Sequence, residues 1–235
     1  MTFEIIEPIL LIGLGGVGSR LADNAKKSLN SDCLLISHDQ NDLTSENSIK
    51  ISTKSVVNPS ANLIRGSTLE SSDEIRKNIE NYSTVILMSN LAGKAGAGIG
   101  PIVSRICKHE QKNLLSFAIM PFKFEKERIF QSGIALKRIR QDSQCTIVID
   151  NDAMLDSNPD LTQNQCYDIS NKAIQSMMHS LKSSEVSSDT NIMSTSKVND
   201  NIETSLKDSL RMLYEDAPPN SIKRSMLYVY GADNI

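Results

Sequence analysis

The chain has no excess of positive charge. Its 25 Lys and Arg against 28 Asp and Glu give a formal net charge of −3 over 235 residues. The cations are dispersed, so the electrostatic footprint of a nucleic-acid binder is missing. The chain also lacks any apolar run near the roughly 18 residues that cross a bilayer. Glu4 and Glu7 stand before the short apolar run 9–12, where a signal peptide would carry cations. These absences lead to the expectation of a cytoplasmic protein with no direct membrane insertion. Cysteines are few: Cys33, Cys107, Cys145 and Cys166 lie far apart, three of them in or beside apolar runs where a thiol behaves as a small buried hydrophobe. His38, His109 and His179 make no pair at metal-ligand spacing, so no transition-metal site is expected.

What is present is a rhythm. Short β-rich apolar runs at residues 9–12, 33–37, 84–88, 114–120 and 145–149 alternate with helical patterns at 17–29, 71–81, 102–110 and 127–141. That alternation predicts an α/β fold, a Rossmann-like doubly wound parallel sheet. In such a sheet, ligands bind beyond the carboxyl ends of the strands. After residue 149 the character changes. Residues 160–181 read as a long helix, and 183–196, with eight Ser or Thr among fourteen, read as a linker or mobile loop. A further helix is expected at 201–214. A strand-like run at 226–230 either adds to the main sheet or opens a second domain.

Two glycine-rich segments fall at carboxyl ends of expected strands: Gly13-Leu14-Gly15-Gly16-Val17-Gly18 and Gly93-Lys94-Ala95-Gly96-Ala97-Gly98. Glycine lets the main chain approach a phosphate closely, so that N–H groups at a helix N-terminus point at its oxygens. The pair implies a di- or triphosphate site. Gly13-x-Gly15-x-x-Gly18 also fits a dinucleotide fingerprint, with Asp39 placed 21 residues beyond Gly18 for a ribose. The order Gly-Gly-Val-Gly-Ser at residues 15–19 fits adenylating enzymes that activate ubiquitin-like proteins as well.

Residues 91–155 resemble the tubulin/FtsZ family of GTPases. The segment 92–98 sits where FtsZ has its glycine-threonine signature, ahead of a helix opening at Pro101-Ile102-Val103. Pro121-Phe122-Lys123-Phe124-Glu125 is similar to the family's Pro-Phe-x-Phe-Glu, and Asp150-Asn151-Asp152 to the turn ending its fifth strand. The resemblance implies GTP or GDP, with Mg²⁺ reached through the phosphates. It assigns the phosphates to Gly15, Gly16, Gly18 and Ser19, and to Gly93, Lys94, Ala95, Gly96, Ala97 and Gly98. Asn62 matches an Ala-Asn-Pro segment near the γ-phosphate, without the Pro. Glu125 and Arg128 match ribose-holding positions, the alternative being an ion pair at a helix start. Asn151 would meet the guanine edge. Tyr167 and Asn171, four apart on one helix face, would supply a ring and another amide; the alternative is that Tyr167 packs the helix and Asn171 faces water.

By this resemblance residues 1–160 form a GTP-binding domain, 161–182 a central helix, 183–200 a polar linker and 201–235 the start of an abbreviated second α+β domain. The implied function is a protein that self-associates head to tail, or with a related FtsZ-like protein, in cell division or filament regulation. Three departures bear on activity. Ala95 and Ala97 replace the signature threonines, and Lys94 adds an ammonium that serves either as a phosphate charge or as a surface lysine. No Asn-x-Asp-Phe-x-Asp loop follows the long helix, leaving Glu185 or Asp189 as stand-ins; losing a positioned acid or base typically costs about a hundredfold to ten-thousandfold. Weak or absent hydrolysis is expected, with no catalytic residue assigned. The last departure is Gly231-Ala232-Asp233, which resembles an early turn of a second domain. The competing expectation is an NAD-dependent oxidoreductase or an adenylating enzyme. Against it, the second glycine segment has no task there, and neither a Tyr-x-x-x-Lys pair nor CxxC pairs are present.

Overall fold

The computed structural model describes residues 2–54, 56–181, 186–227 and 229. The chain runs through β1 (Thr2–Phe3), β2 (Ile9–Leu14), α1 (Gly15–Leu29), β3 (Asp32–Ser37), a 3-10 turn (Gln40–Asp42) and β4 (Ser48–Lys50). Next come α2 (Ala61–Glu70), α3 (Ser72–Ile79), β5 (Thr84–Asn90), α4 (Lys94–His109), β6 (Asn113–Met120), α5 (Lys126–Asp142) and β7 (Cys145–Asp150). It ends with α6 (Asn151–Ser157), α7 (Gln163–Ser180), β8 (Val186–Ser187), β9 (Thr190–Met193) and α8 (Ile202–Asp216). Seven strands make one parallel sheet in the order β4-β3-β2-β5-β6-β7-β9. β1 pairs antiparallel with β8.

Strand periodicity sorts the core into two layers. From β2, Ile9 and Leu11 face a core shared with Leu21, Ala25 and Leu29 of α1 and Ile174 and Met178 of α7. Leu10, Ile12 and Leu14 face the other, with Ile64 of α2, Ile75 of α3, and Ile102, Val103 and Ile106 of α4. All six residues of β2 are buried, and full burial of each large aliphatic chain contributes about 1.5–3 kcal/mol. The four cysteines are free and buried. Burial pushes the Cys33 thiol up to about 11 and those of Cys107 and Cys145 to about 12. Among the described residues no helix is long and apolar enough to cross a membrane.

The structure corrects three expectations. The polar tract is not simply a linker: residues 186–193 hold β8 and β9, and β9 pairs with β7 at the sheet edge. Its residues Thr190-Asn191-Ile192-Met193 form a half-exposed edge strand, which needs little apolar surface. Residues 183–185 lie outside the described set. Second, the helix expected to open at Pro101 opens at Lys94, so much of the second glycine segment is helical. Third, Met226, Leu227 and Val229 are exposed and form no strand; Tyr228, Tyr230 and residues 231–233 lie outside the described residues.

α8 is not set apart from the sheet domain. It begins where the Asn201 side chain accepts from Thr204 N–H at 2.8 Å and drives Met212 into a cluster with Phe122, Met154 and Cys166. At its far end the Asp216 carboxyl meets Asp150, the N-cap of α6. Burial, and then the Asp150 charge and hydrogen bond, push Asp216 up to about 7, even though more than a third of the residue is open to water.

Two predictions follow from these contacts. A Cβ at Gly96 would lie 2.1 Å from the Asn90 carbonyl oxygen, whereas one at Gly66 meets nothing within 4 Å. Gly96→Ala is expected to cost about 3 kcal/mol by overpacking against backbone. Gly66→Ala should instead stabilise α2 by up to about 1 kcal/mol. Urea midpoints of the two variants measure the contrast. Asp216 holds its proton to about 7 when folded and releases it near 3.8 when unfolded. The folded state therefore binds the extra proton between those values, and stability falls as pH rises across that window. Asp216→Asn should flatten the fall between pH 5 and pH 8 and raise the melting temperature at pH 8.

Candidate functional site

The carboxyl ends of β2 and β5 feed directly into helices. α1 starts at Gly15 straight after Leu14, and α4 starts at Lys94 after Gly93; neither N-cap supplies a side-chain hydrogen bond. The first N–H groups of a helix have no intrahelical partner. The two starts meet: a Cβ on Gly15, which has φ +64°, would lie 2.8 Å from Ala95 Cβ. Two uncapped helix N-termini therefore converge at one point, their positive dipole ends together.

The glycines divide by task. A Cβ on Gly18 would sit 2.3 Å from the Met88 carbonyl oxygen, and one on Gly13 2.6 Å from the Gly18 oxygen. A Cβ on Gly98 would lie 2.8 Å from the Ala61 carbonyl oxygen. Close passage of backbone is reason enough for glycine at 13, 18, 96 and 98. Gly15 and Gly16 border the convergence itself. Beside them is a carboxylate not singled out from the sequence, Asp42, whose Oδ1 lies 2.7 Å from where a Gly16 Cβ would stand.

The α2 segment lies against α4. Lys94 is exposed, and its ammonium donates to Asn58 Oδ1, a partner with no recognisable pattern in sequence. Asn62 is exposed in the first turn of α2, and its Oδ1 accepts from Arg65 Nη1 at 3.2 Å. Arg65, like Asp42 and Asn58, carries no signal of its role in the sequence. Pro101 inside α4 has no N–H for the carbonyl four residues earlier, that of Ala97. Arg65 Nη2 donates to that oxygen at 3.2 Å. The cation thus closes the gap left by the proline, just below the glycine turn.

The other site candidates gather around α6 and α7. Asn151 is fully buried; its Oδ1 accepts from Ser170 Oγ at 2.6 Å, and its Nδ2 has no partner. Asn171 Oδ1 and Ser19 Oγ are likewise buried without partners. Tyr167 meets Phe122 edge-on with centroids 5.3 Å apart, and Phe122 stacks on Phe124 at 5.1 Å. Burial raises the Tyr167 hydroxyl, helped by the Glu125 charge and opposed by Arg128, which places all three side chains near one another. Glu125 already accepts from Arg128 Nη1 at 2.6 Å and from Phe122 N–H at 3.1 Å. That is the helix-start ion pair offered above as the alternative to ribose contact. Asp39, the ribose residue of the dinucleotide reading, accepts from Asn41 N–H at 3.0 Å and caps its own turn. Asp189 O accepts from Thr146 N–H near the start of β7, at the opposite end of the sheet from the glycine turns. Glu185 lies outside the described residues.

The proline and arginine make a testable pair. Arg65→Met leaves the Ala97 carbonyl without a partner and is expected to destabilise by about 1–3 kcal/mol. In a Pro101→Ala background, where a backbone N–H returns, the same change should cost clearly less. A double-mutant cycle by denaturant unfolding measures the coupling.

Comparison with known proteins bears on the family and the fold. Residues 8–159 match the Tubulin/FtsZ family, GTPase domain. Cell division protein FtsZ 1 of Halobacterium salinarum is 26% identical over 183 residues, covering 73% of this chain and 46% of that protein. Cell division protein FtsZ of Methanothermobacter thermautotrophicus is 28% identical over 106 residues, covering 45% of this chain and 28% of that protein. The chain thus spans less than half the length of these relatives. Among solved structures, an FtsZ dimer from M. jannaschii superposes with TM-score 0.67 at 21% identity, over 74% of this chain and 54% of that one. CetZ from Methanosaeta thermophila gives 0.64 at 16% identity, over 87% and 67%. These structures share the fold, and since the family match spans more than half of the sequence, the chain belongs to the tubulin/FtsZ family.

Proposed function

We propose that this chain binds a guanine nucleotide across the carboxyl edge of its sheet, hydrolyses it weakly on its own, and associates head to tail with itself or an FtsZ-like relative. The observation that carries the reading is the meeting of two uncapped helix starts at Gly15 and Ala95, with unpartnered polar atoms on Ser19, Asn151 and Asn171. Buried polar atoms are nearly always bonded in a finished structure. Among the described residues six buried side-chain atoms lack a hydrogen-bond partner: those of Ser19, Asn151 and Asn171 belong to residues the family resemblance assigns to the nucleotide and fit a ligand that supplies the missing partners, and His38, Arg65 and Asp152 carry the others.

Each group has a distinct task. The N–H groups at the starts of α1 and α4 receive the phosphates, with Lys94 as a mobile charge at the rim. Mg²⁺ would reach the site on the phosphates, neutralising part of their charge. Asn151, oriented through Ser170, offers an N–H₂ donor, and Asn171 offers an acceptor; between them they can read a base that presents both. Weak hydrolysis has a physical basis. Ala95 and Ala97 bring no hydroxyl, and Asp189 lies at the other end of the sheet.

Calorimetric titration with GTP, ATP and NAD in Mg²⁺, followed by phosphate release in the same sample, tests the reading. GTP selectivity with slow release is expected. Asn171→Ala should weaken GTP about tenfold, the scale of one lost hydrogen bond to a buried partner. Lys94→Ala should weaken GTP more than GMP. Preference for NAD or ATP would overturn the guanine assignment, and turnover as fast as an ordinary filament-forming GTPase would overturn the weak hydrolysis.

A further inference from the structure

Asp42 stands where a carboxylate is least expected in a phosphate site. It closes the 3-10 turn after β3, and Ser37 Oγ, itself buried, donates to its Oδ2 at 2.7 Å. That bond aims the carboxylate at the first turn of α1. Oδ1 lies 2.7 Å from the Cβ position of Gly16, and Oδ2 3.9 Å from that of Gly15. The first turn of α1 has no acidic residue of its own and no side-chain cap. Asp42 therefore supplies the negative partner that a helix N-terminus favours. Gly16 keeps room for it, since any side chain there would strike the carboxylate.

An incoming phosphate would seek the same positive end. We propose that Asp42 is an internal competitor of the phosphate chain: it neutralises the start of α1 while the site is empty, and it opposes a polyphosphate unless a divalent cation on the phosphates offsets its charge. This rests on the nucleotide reading above and deepens it by naming a residue that sets how affinity depends on phosphate number, cation and salt. Two like charges a few ångströms apart repel even in bulk water, and more near a protein surface. Exposed pairs are screened by salt, so the effect should fade as ionic strength rises.

The test is titration of wild type and Asp42→Asn with GTP and GMP in EDTA at low salt, repeated in Mg²⁺ and in high salt. Asp42→Asn is expected to bind GTP about tenfold tighter in EDTA and GMP no more than about twofold tighter, with the GTP gain shrinking in Mg²⁺ and in high salt. Glu46→Gln, which removes an exposed carboxylate farther along the same connection, should change GTP affinity less than about twofold. The nucleotide-free melting temperature of Asp42→Asn should also drop slightly, because α1 loses its counter-charge. Equal or weaker GTP binding by Asp42→Asn, or an equal gain from Glu46→Gln, overturns the competitor role while leaving the nucleotide site standing. Failure of both wild type and Asp42→Asn to bind any guanine nucleotide in any buffer overturns the nucleotide reading and this inference together.

Discussion

The structure depends on how closely α1 and α4 can approach β5. Gly18 lies against the Met88 carbonyl and Gly96 against the Asn90 carbonyl, at separations that leave no room for a methyl group. Because both helices are drawn onto the same strand, their N-termini meet at Gly15 and Ala95, and this convergence is a by-product of that packing. A side chain at either contact would push a helix outward and part the two starts. The glycines best known for receiving phosphate are thus of two kinds here. Those at 15 and 16 border the point where the helix starts meet, and those at 13, 18, 96 and 98 allow the close backbone packing around it.

This explains what was legible in the sequence. β2, β3, β5, β6 and β7 announce themselves as continuous apolar runs because they are buried on both faces, and the doubly wound order follows from their alternation with helices. β4 and β9 escaped because they are short edge strands with polar residues. α2 escaped because its run 61–70 has few apolar residues for its length, with only Ile64 of its large side chains fully buried. Asn151, Tyr167 and Asn171 could be named in advance only through the resemblance to the tubulin/FtsZ family, which assigns the matching positions to the base. Asn58, Arg65 and Asp42 could not. Their partners are an exposed lysine, a carbonyl freed by a proline in another helix, and a glycine turn 26 residues earlier for Asp42, and no local pattern encodes such meetings. In hindsight one signal was available: a proline inside a helical pattern, which requires some donor for the carbonyl it orphans.

Charge around the convergence is balanced rather than simply positive. Two helix N-termini and the Lys94 ammonium bring positive charge, whereas the Asp42 carboxylate brings negative charge to the same turn. The region around α6 and α7 is built differently, with buried, unpartnered amide atoms on Asn151 and Asn171 and an aromatic group of Phe122, Phe124 and Tyr167. If a guanine nucleotide binds as proposed, one end responds to salt and cations and the other to the shape and hydrogen-bonding edge of the ligand. Affinity and selectivity can then vary separately within one pocket.

The two ends of the sheet are also separated in what they can do. β9 runs parallel to β7, and Thr190 is level with Thr146 near the beginning of that strand, while Asn151 follows its end. The five residue steps from Thr146 to Asn151 place Asp189 about 15 Å or more from the start of α6 at about 3.3 Å per residue. Asp189 is further tied to Thr146 and Thr190 through its own backbone and side chain. A carboxylate held there cannot reach a phosphate bound at Gly15 in the same chain, however flexible the side chain. Any chemistry it performs on a nucleotide requires a second copy whose glycine turns face this edge, and such a contact joins unlike surfaces, which repeats along an axis instead of closing on a two-fold.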